Sequence, residues 1–576
     1  MMMNLLDLPR GYDAARRRYI TRRRPRHALR LWLHCTSHLS DSTSDPLDSM
    51  ADPEKQAVPE KQAIPEKMSV PEKTAPMVPE KATPRDTSPE SAPSTTDAPL
   101  WPAEKLSLPR EALLVAVVCM AQFCTQSAYM GTLVLLRKIG AEFGVAEPSR
   151  LAWLIGGYSL TVGTLILFSG RLGDIFGYKR LLVVGFAWFS LWSMVAGLSA
   201  YSNYTLAVFS RVLQGVGPAI CLPNALAIFG VAYPPGHRKA MVFAFFGAVA
   251  PIGGVIGGAV ASVLDLVWWP WALWVMAMWL AVLAGIATFA VPELPSNGPL
   301  PTSWRGWVEA LDLHGAAVGV LALVLFNFAF TQSPIAGWTS PVILVPLVAG
   351  LLLFVAFVFI EFRISPRPLL PFDAVNADVG FVLAAVACGW ASFGVWTLYL
   401  VQILQDIRGL SPLLTIAWFS PVTVSGAMAA VITGKLLGPW GVRPAVVMML
   451  ALTFFTIGIV LTASAPSHQI YWAQLFVSMV VMPFGMDMSF PAATLILSDA
   501  VAKEHQGIGA SLVNTVVNYG IALGVGFAGT VEIHVHGDSA ETGYRGAMWM
   551  GVGLAGLGMG ISAVFLGRDH LLERKR

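Results

Sequence analysis

Residues 170–180 read GRLGDIFGYKR and separate two apolar runs, each about twenty residues long, the length at which a helix crosses a bilayer. Three glycines (Gly170, Gly173, Gly177), a lone acid (Asp174) and three cations (Arg171, Lys179, Arg180) crowd this short stretch. Glycine permits a tight turn and close helix approach because it has no Cβ. The cations hold the segment at a water-facing surface, but anchoring alone does not call for Asp174. That acid is placed to accept from backbone N–H groups at the start of the following helix, or to pair with a cation. The stretch therefore reads as a gating clasp as well as a turn.

The whole chain is 55% hydrophobic and 13% charged, where a soluble domain carries about 25% charged residues. Its 19 tryptophans and 53 glycines suit membrane helices and their interfaces. An all-α polytopic membrane protein is the expected class. A formal net charge of +3 gives no footing for a nucleic-acid partner. Four of the five cysteines sit in apolar runs without metal-ligand spacing and read as small hydrophobes. Neither a disulfide, a metal nor a cofactor is expected.

Residues 1–110 stand apart, with an arginine cluster and a recurring Pro-Glu-Lys. Proline at that frequency blocks regular structure, so a disordered cytosolic tail is expected. Its Arg-rich start reads either as an import presequence or as a basic arm beside anionic lipid. Fourteen apolar runs follow, the twelfth at about 469–495 and the thirteenth at about 508–530. They divide into a six-helix half at 111–291, a linker region at 292–377 with two inserted helices, a six-helix half at 378–566 and a cytosolic C-terminus at 567–576. Lysine and arginine fall fifteen to five on the two sides of these spans, which places both termini inside.

An internal repeat explains the division. GKLLGPWGVR at 434–443 echoes the opening stretch, with Gly434 on Gly170, Lys435 on Arg171, Gly441 on Gly177 and Arg443 on Lys179. Gly438 stands where the first copy has Asp174, so the second clasp is the weaker. Parallel repeats with a substrate site between them are a transporter layout. No His-Glu-x-x-His pattern or phosphate loop argues for an enzyme. His534 and His536 read as solvated loop residues.

Several polar residues lie inside apolar spans, where they are costly and so mark function. Arg211 and Gln214 share a face of the fourth span. Asp487 in the twelfth is the candidate proton carrier, because an acid in an apolar setting can exchange a proton during a cycle; a neutral or ion-paired structural acid is the other reading. Asn514 and Asn518, like Gln122 and Gln126, sit about a turn apart and can bond substrate or a neighbouring helix. Gly247, Pro251, Gly253 and Gly254 open a small-residue stripe with a proline bend, a helix-packing hinge. Trp390 and Trp396 read equally as cavity wall or lipid-facing bulk.

Together GRLGDIFGYKR, RVLQGVGPA (211–219) and GAVAPIGGVIGG (247–258) resemble the signatures of the major facilitator superfamily. With fourteen spans the chain looks like that superfamily's drug:proton antiporter group. YPPGHRKAMVFAFFGAVAPIGG (233–254), WWPW (268–271) and GMDMSFPAA (485–493) resemble more narrowly a fungal branch of aminotriazole-resistance and low-affinity ammonium transporters. The resemblance implies a monomer in the cell membrane, or the vacuolar one, that exports small organic compounds or drugs against protons by alternating access. The alternative it leaves open is uptake or facilitated transport of ammonium or borate. It also implies gating by Arg171 and Asp174 and coupling near Arg211 and Gln214. One departure matters: the first span carries no acid beyond Glu111 at its edge, so coupling leans on Asp487, or on acids nearer the ends such as Asp265 and Glu361.

Tags at either terminus are expected to be unreachable from outside intact cells, and a tag after Asp538 to be reachable; external labelling of an N-terminal tag would overturn this topology.

Overall fold

The computed structural model describes residues 101–234, 236–294, 301–369, 377–500, 506–535, 537 and 539–573. The Pro-Glu-Lys tail, Cys35, Lys503, His536 and the cations at 574–576 lie outside them. All regular structure among the described residues is helical, and fourteen helices are long and apolar enough to cross a membrane. The first six are α1 (Leu108–Val134), α2 (Pro148–Phe176), α3 (Tyr178–Tyr201), α4 (Tyr204–Ala232), α5 (Arg238–Leu264) and α6 (Pro270–Ala290). Two more follow, α7 (Leu313–Ala336) and α8 (Pro341–Arg363). The last six are α9 (Ala377–Ile407), α10 (Pro412–Leu437), α11 (Pro444–Ser464), α12 (Gln474–Leu497), α13 (Ser511–Val535) and α14 (Ala540–Arg568).

Lipid offers no hydrogen bonds to a bare peptide group, so each crossing segment closes its own ladder as a helix. Proline opens α2, α6, α8, α10 and α11, at the position where a missing N–H costs nothing. Asn203 caps α4, its side chain accepting from the Leu206 N–H at 2.8 Å. Some bounds differ from the sequence reading. Helix begins at Leu108, inside the segment assigned to the tail. The twelfth span starts at Gln474 rather than 469, and the thirteenth runs to Val535 rather than 530.

The helix pairings repeat with a shift of eight. α1 packs on α5 and α6, α2 on α4, and α3 on α4 and α6; in the same way α9 packs on α13 and α14, α10 on α12, and α11 on α12 and α14. The two six-helix halves meet along α2–α13 and α5–α10, and these two seams exchange under the same shift. α7 and α8 form an inserted pair, with α7 against α2 and α13. A short helix, Trp304–Leu311, precedes them, and Trp307 stacks on Phe176 at the end of α2, ring centroids 5.4 Å apart.

The small-residue stripe of α5 has two working faces. Gly253 and Gly257 bring its backbone against Phe123 and Ser127 of α1, so that a Cβ on Gly257 would collide with the Ser127 backbone. Pro251 and Gly258 face the second half, against Gly426 and Ile416 of α10. Gly254 has only Met130 nearby, and Gly247 borders open space, so these two expected hinge residues make no tight contact. Pro251 has no N–H to give the Gly247 carbonyl, which separates the tightly packed part of the helix from the loose one.

Gly257→Leu is expected to cost roughly 1–3 kcal/mol through overpacking and to lower the thermal midpoint in detergent, while Gly247→Ala leaves it in place. Equal midpoints for all three proteins would refute the close α1–α5 approach.

Candidate functional site

The opening stretch is helix, not loop. α2 continues through Phe176 and α3 begins at Tyr178, so the entire connection is Gly177. Its φ of +93° is one that an L side chain rarely adopts. Gly170, Arg171, Gly173 and Asp174 thus occupy the last two turns of α2, with Lys179 and Arg180 in the first turn of α3. The second copy differs: α10 stops at Leu437, and residues 438–443 make a longer turn in which Gly441 also has positive φ, +59°.

Asp174 does not accept from a backbone amide of the next helix. Its Oδ1 takes the Tyr178 hydroxyl at 2.8 Å, across the one-residue turn. Arg171 donates from Nη2 to the carbonyls of Arg367 and Pro368, both at 2.7 Å, on the segment after α8. Lys179 pairs with exposed Glu293 at 2.8 Å. Gly173 leaves room for Asn224 of α4, whose Oδ1 would overlap any Cβ there, and Gly170 faces Ser511 of α13. The clasp residues therefore tie α2 to α3, α4, α13 and the post-α8 segment.

Arg211 is buried at 2% exposure, so it does not snorkel to the surface. Its partners are neutral: the Gln214 Oε1, the Leu154 carbonyl at 3.1 Å and the Ala128 carbonyl at 3.3 Å. The guanidinium lies over the Tyr158 ring, 4.4 Å from its centroid. Gln214 passes the chain on to Ser193 at 2.6 Å. One buried cation therefore links α1, α2, α3 and α4. Gln122 and Gln126, half-buried on α1, make no side-chain hydrogen bond among the described residues.

Asp487 faces the α5–α10 seam. Its Oδ2 lies close to Gly426, which also packs against Pro251, and finds no hydrogen-bond partner among the described residues. No hydrogen bond joins Arg211 to Asp487 among the described residues. Asn518 donates to the Asn514 carbonyl at 3.0 Å, and the adjoining Tyr519 backbone packs on Gly163 of α2, placing both asparagines at the α2–α13 seam. Trp390 and Trp396 are buried inside the second half rather than lipid-facing, with Trp390 donating to Ser489 and Trp396 to Thr462 and Ser478.

A fully buried acid was not singled out from the sequence. Glu532 on α13 accepts from the Tyr399 hydroxyl at 2.9 Å and is 4% exposed. Ending the thirteenth span at 530 left it two residues outside. Asp312 and Glu361 are likewise buried, and both flank Gly315 of the inserted pair. Asp265, by contrast, stands beyond the end of α5, 4.0 Å from Lys138, and partial burial pushes its carboxyl above the usual range.

The family model described as Major Facilitator Superfamily matches residues 118–525 and 381–575. The low affinity ammonium transporter of Saccharomyces cerevisiae is 49% identical over 473 residues, 82% of this chain and 91% of that protein. An efflux pump of Aspergillus terreus is 38% identical over 487 residues, 83% of this chain and 91% of its own length. Among solved structures, a peptide transporter crystallised with sulfate superposes with a TM-score of 0.58 at 16% identity, covering 80% of this chain and 95% of that one, which bears on the fold alone. Fourteen spans, pairings that repeat with a shift of eight, and relatives aligned over most of their length agree: the chain is a multi-pass membrane transporter and belongs to the Major Facilitator Superfamily.

Proposed function

We propose that this transporter exports small organic compounds by alternating access, driven by protons, and that Asp487 carries the proton. The observation behind this reading is the place of Asp487: a half-buried acid whose Oδ2 is enclosed and finds no partner among the described residues, in a seam between the two halves. An ionised acid without a partner in apolar surroundings is expensive. A seam that opens and closes presents the same carboxyl to water in one state and to Pro251 and Gly426 in the other, so a proton binds and leaves once per cycle. Arg211, with only neutral partners, is the fixed charge of the first half.

Export is favoured by the resemblance to drug:proton antiporters and by the efflux pump among the relatives. The second reading, passage of ammonium or a similarly small inorganic solute, is favoured by the ammonium transporter at 49% identity. The cell membrane as location, the vacuolar one as alternative, and a monomeric state belong to the same proposal. In it Asp174 and Tyr178 form a contact that stiffens the α2–α3 turn and must yield when α2 slides along α13.

In liposomes with an imposed pH gradient, accumulation of an organic-compound panel is expected to follow the gradient, and Asp487→Asn to abolish that response while the protein stays folded. A response unchanged by Asp487→Asn would discard the coupling role; movement of ammonium with no organic compound would select the second reading. Asp174→Asn and Tyr178→Phe are each expected to lower turnover per molecule several-fold without lowering membrane abundance, because one hydrogen bond of about 1 kcal/mol is at stake. Parent-like initial rates in both variants would remove the clasp from the mechanism.

A further inference from the structure

The ends of α1 and α9 meet in a polar cluster that the proposed mechanism does not use. α9 closes with a π-helical turn, Ile403–Ile407, a form that is frequent at functional sites and re-aims side chains. Here it directs two successive residues outward to different partners. Gln405 donates from Nε2 to the Val134 carbonyl at 2.8 Å, at the end of α1. Asp406 accepts from Arg137, in the short helix after α1, on Oδ1, and from the Tyr544 hydroxyl of α14 on Oδ2 at 2.6 Å.

Two turns along α1, Tyr129 bonds Thr397 of α9 at 3.1 Å. Eight residues separate Tyr129 from Arg137, so this polar zip covers about 12 Å of helix. Among the described residues Arg137–Asp406 is the one ion pair that joins the first six helices to the last six. The cation count makes this the outer end of the bundle. The zip ends beside Ala128, whose carbonyl holds Arg211. Gln126 and Gln122 lie about one and two turns further in, on the Tyr129 face of α1.

We infer that Arg137 and Asp406 are the outer gate of the transporter: a cross-half latch, braced by Tyr544, whose opening exposes the Tyr129–Thr397 contact and the α1 glutamines to the outside. The inference rests on the alternating-access reading, but on neither proton coupling nor any particular substrate. Half of the Arg137 side chain is open to solvent while Asp406 is largely enclosed. The latch is therefore strong enough to hold the ends together and exposed enough to let go. Asp406 stays oriented by Tyr544 after Arg137 leaves, so the second half keeps its side of the latch ready for reclosure.

The test is the rate at which a membrane-impermeant maleimide, added outside whole cells, labels a Gln126→Cys reporter, measured over the same chain without the reporter. Arg137→Ala and Asp406→Asn are each expected to raise that rate about three- to tenfold, an energetic bias of the size that a partly exposed ion pair supplies. Arg137→Lys should return most of it. Combining Arg137→Ala with Asp406→Asn should add little to either, because each alone already breaks the pair. The thermal midpoint of each variant in detergent reports folding, and Arg137→Ala, at a half-exposed side chain, keeps the test alive if Asp406→Asn misfolds. Unchanged labelling, or effects of the two substitutions that multiply, would overturn the latch. Since labelling needs neither substrate nor gradient, failure of the export or proton proposals would leave its outcome standing.

Discussion

Within a bilayer every peptide group must find its hydrogen bond inside its own helix, and that constraint limits how this protein can work. A crossing helix cannot unravel cheaply, so the moving parts are whole helices and the mechanism lies in what sits between them. The recurrence of the main pairings of α1–α6 in α9–α14 supplies two such bodies, built to one plan. Motion is then concentrated in the contacts between them.

Those contacts are of different kinds. The α2–α13 and α5–α10 seams are close approaches of backbone and apolar side chains, at Gly163 against Tyr519 and at Pro251 against Gly426. Packing of that sort, many small attractions with no directional bond, tolerates sliding once its partner atoms are replaced. The α1–α9 contact is directional, made of an ion pair and hydrogen bonds. Such contacts are made or broken, with little between. A body that slides on apolar seams and is stopped by a polar latch has two discrete arrangements, which a transporter requires.

How much of this could be read in the sequence depends on the range of the interaction. Span number, the repeat and the glycine turn are local, set by apolar run length and by residues a few positions apart. The role of Gly177 was legible because only glycine adopts that φ readily. The helical state of Gly170 to Phe176 was not, because glycines near charges look like loop until α4 is seen packing on Gly173. Arg211 was visible as a charge in an apolar run, but its partners, two carbonyls from α1 and α2, leave no sequence signal. Glu532 fell to a boundary drawn two residues short. The Arg137–Asp406 pair, 269 positions apart, could not be found from either end.

The ionisable groups left in the interior are divided unevenly between the halves. The first half holds Arg211, a guanidinium that cannot shed its proton in a protein and that has only carbonyl, amide and ring partners. The second half holds Glu532, buried, and Asp487, half-buried with one enclosed carboxyl oxygen. In the proposed cycle an acid of the second half changes charge with its proton, whereas Arg211 does not. Interior fields act strongly because little water screens them. In the proposed cycle the field between the halves therefore changes with protonation of the second half alone, which is the asymmetry that proton coupling needs.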